Sequence, residues 1–108
     1  MAAPTTLVAS LYAAPEILKG ENYNEKVDCW SLGVMIYRML SGEYPFNTSV
    51  GGEKELFNTI QKGKFNFTEN WDHISEEAKD LVLHLLDLDP DRRLSMSDVN
   101  DHPWMNMF

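Results

Sequence analysis

Residues 24–42, NEKVDCWSLGVMIYRMLSG, are the stretch that decides the fold. Asn24 suits the cap that precedes a helix, and Gly42 suits the left-handed residue that often follows one. The apolar residues between them lie nearly all round a helical wheel, which is typical of a helix buried on every side. They are Val27, Cys29, Trp30, Leu32, Val34, Met35, Ile36, Tyr37, Met39 and Leu40. We therefore expect a buried central helix that runs from about residue 24 to Ser41.

Helical signals recur downstream of this stretch. A short helix is predicted over Glu53–Lys62, and Ser75 is a predicted cap for the clearest helix of the chain. Ser95 begins another, with Asp98 three residues on in a capping-box arrangement. The apolar residues of the two longer segments fall on one face each: Leu56, Phe57 and Ile60 in the first, and Ala78, Leu81, Val82, Leu85 and Leu86 in the second. No stretch alternates with period two, so the expected fold class is all-α.

The segments that connect these helices are expected to be less regular in structure. Residues 13–19 are expected to form a short helix or turn, and residues 63–72 an irregular stretch that carries aromatic side chains into the core. His102-Pro103-Trp104 is expected to form a final turn packed against the body. Residues 1–11 show no periodicity, so they are interpreted as a flexible lead-in, either natural or added to the natural protein. The structured domain is then residues 12–108.

Composition excludes several classes of function. A net charge of -8 argues against nucleic-acid binding, which needs clustered Lys and Arg. The most apolar stretch, residues 27–40, is shorter than the roughly 20 residues of a membrane span and contains Asp28 and Arg38. Cys29 is the only cysteine, so it is interpreted as a core residue in a reducing compartment. The cytoplasm is the expected location, with the nucleus as an alternative.

Four short motifs follow one another along the chain. They are Ala14-Pro15-Glu16, Asp28-x-Trp30-Ser31-x-Gly33, Ser41-Gly42 with Pro45-Phe46, and Asp89-Pro90-Asp91-Arg92-Arg93. Each is weak alone, but in this order and at these spacings they resemble the last third of a eukaryotic Ser/Thr protein kinase catalytic domain, over about residues 12–105. The implied fold is the helical C-terminal part of the large lobe, from the end of the activation segment through the family's helices F to I.

The resemblance implies a role for five residues. Glu16 and Arg93 are expected to form a buried ion pair, since a planar guanidinium matches a carboxylate at two points. Asp28 holds the catalytic loop in intact kinases, and no such loop is present in this chain, so Asp28 is expected to be exposed or paired elsewhere. Trp30 is expected in the core, and Gly33 is expected to permit close helix packing.

The motifs that transfer phosphate are missing from these 108 residues. The chain contains no Gly-rich phosphate loop, no His-Arg-Asp and no Asp-Phe-Gly. We therefore predict no catalytic, cofactor-binding or metal-binding residues and no activity for the chain alone. ATP and Mg²⁺ are implied only for the parent, the longer kinase to which the chain would belong. The implied partners are the remainder of the kinase domain and the parent's protein substrate.

A finer resemblance is to the calcium/calmodulin-dependent group, which includes calcium-dependent protein kinases. It rests on residues 62–71, 75–81 and 101–104. That group usually carries Gly-Thr where this chain has Val8 and Ala9, which weakens the expectation of a substrate pocket. Any residual peptide docking is assigned to Tyr12 and the backbone of Ala13 and Ala14.

The sequence is compatible with two other functions, and two apparent metal sites do not fit their metals. The chain is alternatively a protein-interaction module, or a scaffold that self-associates through apolar faces left uncovered. Residues 87–98 begin like a calcium loop but have Arg92 where Gly is needed and Asp98 where a bidentate Glu is needed. The three histidines are too isolated in sequence to suggest zinc.

Overall fold

Five α-helices and two 3-10 turns form the regular structure of a computed structural model, which describes residues 10–47 and 52–107. No strand occurs within those ranges, so the all-α prediction is confirmed for them. The predicted lead-in lies mostly outside the described residues, as do Val8 and Ala9. The helices are α1 (Pro15–Leu18), α2 (Lys26–Ser41), α3 (Glu53–Lys62), α4 (Glu76–Leu85) and α5 (Met96–Asn100), and the turns are Glu69–Trp71 and Met105–Met107.

The central helix α2 begins at Lys26, two residues after Asn24, and Glu25 takes the cap position predicted for Asn24. Asn24 accepts a hydrogen bond from the Lys26 N–H through Oδ1, at 2.9 Å, but Glu25 between them already has helical backbone angles. The side chain of Asn24 therefore satisfies a free N–H of the first turn from just outside the helix. At the other end, Gly42 has φ 79° and donates its N–H to the Arg38 carbonyl, as expected for a left-handed residue after a helix.

The expectation that α2 is buried on every side is wrong. One side is in the core, with Trp30 and Val34 fully buried, whereas Met35 and Met39 on the other side are 47% and 73% exposed. The periodicity could not reveal this difference, because methionine is as apolar as its buried neighbours. The core lies on one side of α2 only.

The buried side of α2 packs against α4 at Gly33. A Cβ added there would lie 2.8 Å from the Leu85 Cβ and 3.0 Å from the Leu86 Cδ2, which is closer than side chains pack. Helix α4 presents its fully buried stripe of Leu81, Val82 and Leu85 to this contact. Ser75 caps the helix by accepting the Ala78 N–H at 3.2 Å, as its sequence predicts. The missing side chain of Gly33 thus sets the distance between the two helices.

An aromatic cluster fills the space beside α2. The Tyr37 ring lies 4.8 Å from that of Trp71, and the Phe67 ring is also 4.8 Å from Trp71, measured between ring centroids. The stretch predicted to be irregular contains the 3-10 turn Glu69–Trp71, which Thr68 precedes as a side-chain cap. Phe65 is partly buried against the same cluster. This segment therefore contributes to the core as predicted, although part of it is regular.

The last elements pack onto α4. Helix α5 has the predicted capping box, in which Ser95 accepts from the Asp98 N–H and Asp98 accepts from the Ser95 N–H. His102 is buried and lies 2.8 Å from the Asp80 carboxylate, measured from Nε2 to Oδ2. The turn at His102 thus packs against the body, as predicted. None of the helices in the described ranges combines the length and apolarity needed to cross a membrane.

Candidate functional site

The centre of the candidate site is a buried ion pair. Glu16 lies in α1, which Pro15 begins and for which Ala14 is the N-cap residue. The Arg93 guanidinium donates to both carboxylate oxygens, with Nη1 2.8 Å from Oε2 and Nη2 3.0 Å from Oε1. Both side chains are buried, and the residues are 77 positions apart in the chain. The structure therefore brings together the two motifs that sequence analysis paired.

Every donor of the Arg93 guanidinium has an acceptor. A guanidinium carries five N–H groups, and two of them bind Glu16. The other three donate to backbone carbonyls: Nε to Asp87 at 3.0 Å, Nη1 to Lys26 at 3.0 Å and Nη2 to Leu88 at 3.4 Å. This pattern ties α1, the start of α2 and the turn after α4 to one buried charge.

A second cation supports the same junction. The Lys26 Nζ donates to the carbonyls of Pro90 and Arg93, each at 2.7 Å. Lys26 is the first residue of α2, so its side chain fixes the Asp89–Arg93 turn against the beginning of the central helix. Sequence analysis assigned no role to Lys26, and nothing in its spacing from residue 93 could have suggested one.

The electrostatics of the pair favour its charged form. Burial alone would raise the pKa of the Glu16 carboxyl, but the hydrogen bonds and positive charge of Arg93, with a backbone hydrogen bond, outweigh burial and hold that pKa below its ordinary value. The guanidinium also lies over the Trp30 ring, 5.1 Å from its centroid, where a cation is attracted to the aromatic face. Glu16 is therefore an anion at neutral pH.

The three residues of the central motif occupy different environments. Asp28 is exposed, and its carboxylate has no hydrogen-bonding partner among residues 10–47 and 52–107. Trp30 is fully buried and stacks on Phe46 with ring centroids 5.5 Å apart. Its Nε1 finds no acceptor within the described part of the chain. Gly33 lies at the contact between α2 and α4.

The predicted peptide-docking segment already makes several internal contacts. Ser31 donates its hydroxyl to the Tyr12 carbonyl at 2.8 Å, and the Ala13 N–H donates to the Ser10 carbonyl at 3.2 Å. Ala14 is 0% exposed, and its carbonyl accepts from the N–H of Ile17. The ring of Tyr12 lies edge-on to Tyr44, with centroids 5.7 Å apart. Docking at Tyr12, Ala13 and Ala14 stays a prediction, and these contacts limit the backbone that a peptide could use.

The described residues contain no group of three or more His, Cys, Asp or Glu side chains placed to hold a metal ion. Cys29 is buried, and burial, more than its charged neighbours, raises the pKa of its thiol. A thiol in that state is a poor nucleophile.

Besides those of Lys26, two further contacts could not be predicted from the sequence. Ser31 belongs to a motif that implies no role for it, and it secures the segment before α1 by donating to the Tyr12 carbonyl. The Asp80 carboxylate binds His102, and the Nδ1 of His102 accepts the backbone N–H of Trp104 at 3.1 Å. Because Nδ1 accepts, the neutral ring carries its proton on Nε2 and donates it to Asp80. No sequence signal links positions 80 and 102.

Comparisons with known proteins agree on one family. A family model of the protein kinase domain matches residues 2–105. Serine/threonine-protein kinase DCLK3 of Mus musculus is 46% identical over 97 residues, which cover 89% of this chain and 12% of the relative. Ribosomal protein S6 kinase alpha-1 of Rattus norvegicus is 45% identical over 96 residues, which cover 87% of this chain and 13% of the relative.

A solved structure shows the same arrangement. The Twitchin kinase region from C.elegans (Fn31-NL-kin-CRD-Ig26) superposes with a TM-score of 0.86 at 32% sequence identity. The match covers 93% of this chain and 18% of that chain. This chain thus spans a small part of the length of each of these three proteins.

Proposed function

The chain belongs to the protein kinase domain family, and from this premise we propose that it supplies the helical scaffold of a Ser/Thr kinase's large lobe. The observation that carries the proposal is the buried pair of Glu16 and Arg93. It fixes the residues before α2 against the turn after α4, so the end of the activation segment has one defined position. In the parent, ATP and Mg²⁺ would supply the phosphate, and a protein Ser or Thr hydroxyl would receive it.

Within this proposal the chain positions the end of the activation segment and does not itself catalyse phosphate transfer. The Ser31 hydroxyl of α2 holds the Tyr12 carbonyl just before the Ala-Pro-Glu segment, and Arg93, in the turn after α4, holds Glu16 within that segment. The groups that bind nucleotide and metal in a kinase would come from the remainder of the domain. That remainder would cover the exposed side of α2, where Asp28 offers a free carboxylate and Met35 and Met39 offer apolar surface.

The proposal is tested by sedimentation velocity of the 108-residue chain with and without ATP-Mg, together with a phosphate-transfer assay on a generic protein substrate. We expect the sedimentation coefficient to be unchanged by nucleotide and no phosphate to be incorporated. A nucleotide-dependent shift, or transfer that survives repeated purification, would show a phosphate site within this chain and contradict the scaffold role.

We further propose that the parent belongs to the calcium/calmodulin-dependent group. Support comes from residues 62–71, which bring Phe65, Phe67 and Trp71 to the aromatic cluster around Tyr37. Calcium control would reside outside these 108 residues, in the cytoplasm or nucleus. Calorimetry of the chain with Ca²⁺ should therefore show no binding, whereas phosphate transfer by the full-length gene product should depend on calcium. A calcium-independent full-length enzyme would contradict this assignment.

Self-association is a second candidate behaviour, favoured by the exposed apolar side of α2. Met35 and Met39 are one helical turn apart, so they form a continuous apolar surface. A second copy could cover this surface when the remainder of the kinase domain does not. Sedimentation over a range of concentrations should show mass increasing with concentration, and Met39→Gln should reduce it. A monomer at every concentration would exclude this behaviour.

A further inference from the structure

A groove of about 540 Å³, here called the α4 groove, lies on the side of α4 that faces away from α2. One wall is the exposed ridge of α4, and the other combines the partly buried Phe67 with the turn at residues 102–103. The lining residues are Phe67, Glu76, Glu77, Lys79, Asp80, Leu83, His102 and Pro103. None of them takes part in the Glu16–Arg93 junction.

Both walls of the α4 groove are held in place before any ligand arrives. Helix α4 is capped by Ser75, and its opposite face is anchored in the core through Leu81 and Leu85. His102 is fixed between two partners, with Nε2 2.8 Å from the Asp80 carboxylate and Nδ1 accepting a backbone N–H. A preformed groove requires little ordering on binding, which favours affinity.

The groove combines an apolar floor with an acidic rim. Leu83 is 50% exposed and Pro103 is exposed, which gives apolar surface that no described element covers. Three carboxylates face one lysine along the lining, and that lysine, Lys79, is already 3.2 Å from Glu76. Glu77 has no hydrogen bond or ion pair with any other residue in ranges 10–47 and 52–107. The Asp80 carboxylate contacts His102 and lies 3.3 Å from the His84 Nδ1, so Glu77 is the rim carboxylate that has no partner in the described chain.

The sign of the charge selects the kind of occupant. The whole chain carries -8, so its field attracts basic partners and repels acidic ones. An apolar residue flanked by Lys or Arg would place a hydrophobic group on Leu83 and Pro103 and its cations beside Glu77 and Asp80. Neither a purely apolar segment nor a metal ion would use both features.

We propose that the α4 groove is a docking site for a basic, amphipathic segment of a partner protein. This inference does not depend on the proposed function, because the groove lies apart from the junction that carries that function. The segment binds by burying an apolar side chain against Leu83 and by pairing its cations with the rim. Recognition is by charge pattern and apolar spacing, as in other grooves that bind an amphipathic helix.

The test uses a short fluorescein-labelled peptide of leucine and lysine with helical periodicity, titrated with the 108-residue chain in a fluorescence anisotropy assay. A counterpart with glutamate in place of lysine is the peptide control. We expect saturable binding of the basic peptide, weakened by salt, and none of the acidic one. Glu77→Lys should weaken binding by about tenfold or more, because it reverses the free charge on the rim. Leu83→Gln should weaken it through loss of the apolar contact.

Matched variants separate the groove from the general charge of the chain. Glu55→Lys makes the same charge change in the first turn of α3, outside the groove. Met96→Gln removes an exposed apolar side chain from α5, also outside the groove. Both should bind the basic peptide like the unmodified chain. Because all four positions are exposed, circular dichroism should show every variant folded.

Three results would overturn the proposal. The first is no saturable binding of the basic peptide, and the second is equal weakening by Glu55→Lys and Glu77→Lys, which would mean diffuse charge attraction without a site. The third is unchanged binding by Leu83→Gln, which would remove the apolar half of the recognition. Selective loss in both groove variants, with both controls unaffected, would establish the site.

Discussion

The two sides of helix α2 have similar residue types and opposite environments. On one side, Gly33 allows α4 to approach within contact distance, and the Arg93 guanidinium lies over Trp30. On the other, Met35 and Met39 extend into solvent beside a free Asp28. Burial is therefore set by which elements lie against a helix and not by how apolar its residues are. The buried side should tolerate almost no change, and the exposed side almost any.

The largest expected effect is on the buried side, from Arg93→Met. This change leaves the Glu16 carboxylate buried without a counter-charge, which costs about 3–5 kcal/mol of the free energy of unfolding. Urea titration followed by tryptophan fluorescence measures it, because Trp30 and Trp71 are fully buried. A loss below about 1 kcal/mol would mean that the pair contributes no more than an exposed one.

The matched control for this change is the double variant Glu16→Gln with Arg93→Met. It buries no lone charge, so it should recover part of the stability that Arg93→Met loses. If Arg93→Met alone is unfolded without urea, a folded double variant still demonstrates the coupling. A double variant that is no more stable than the single one would contradict it.

The next effect is at the contact between α2 and α4. In Gly33→Ala the new methyl would meet the Leu85 Cβ at 2.8 Å, so the helices must move apart. Overpacking of this kind costs about 1–3 kcal/mol, of which the helix preference of alanine returns about 1 kcal/mol. The net loss should appear as a lower urea midpoint with an unchanged slope.

Gly52→Ala is the control for Gly33→Ala. A Cβ at Gly52 meets nothing within 4 Å, so alanine there causes no steric conflict and loses only the preference for glycine as the cap residue of α3. Its urea midpoint should fall by less than that of Gly33→Ala. Equal destabilisation by both variants would point to a general effect of replacing glycine and not to the close approach at Gly33.

A smaller effect is the pH dependence that Glu16 confers. Its pKa is depressed in the folded chain below the ordinary value of 4.5, so the unfolded chain takes up its proton first as pH falls. The stability that Glu16 contributes is complete above about pH 5 and is lost as pH falls through the folded pKa. The effect is smaller than that of Arg93→Met, because a protonated carboxyl still accepts a hydrogen bond.

Urea titrations across the acid range, on the unmodified chain and on Glu16→Gln, isolate this contribution from that of the other acidic residues. The difference in stability between the two proteins should be constant near neutrality and should shrink as the solution becomes more acid. A difference that does not change with pH would mean that the pKa of Glu16 is not depressed by folding.

The smallest effect is expected on the exposed side, from Met39→Ala. The side chain is 73% exposed, so its removal should change the free energy of unfolding by no more than about 0.5 kcal/mol. Val34→Ala, in the same helix but fully buried, should cost roughly 1–3 kcal/mol because it leaves a cavity. Equal effects of the two substitutions would abolish the distinction between the sides of α2.

Sequence reasoning succeeded where the deciding interactions are local. The caps at Ser75 and Ser95 and the bounds of α3 follow from residues within a turn of each other, and the structure has them as predicted. The start of α2 was placed about two residues early, because Asn24 binds the Lys26 N–H from outside the helix. Local signals therefore predict the presence of a helix more accurately than they predict its first residue.

Sequence reasoning failed where elements distant in the chain decide which residues are buried or in contact. Whether Met35 is buried depends on what lies against α2, and no pattern within the helix records that. The pairing of positions 16 and 93 was reached through resemblance to a family, whereas the contacts of Lys26 with residues 90 and 93, and of Asp80 with His102, had no such guide. Side chains that bind backbone carbonyls across the fold leave little trace in a sequence.

The separation of Glu16 and Arg93 has a consequence for how the chain acquires its structure during synthesis. Arg93 follows Glu16 by 77 positions, so at typical translation rates it is added roughly 4–15 s later. Until Arg93 is added, the carboxylate of Glu16 is hydrated and has no guanidinium to bind it. Helix α1 is only four residues long, so nothing holds it in its final position during that time. The nascent chain must complete α2, α3 and α4 before α1 can dock. The ion pair can therefore form only after every helix between Glu16 and Arg93 has been synthesised.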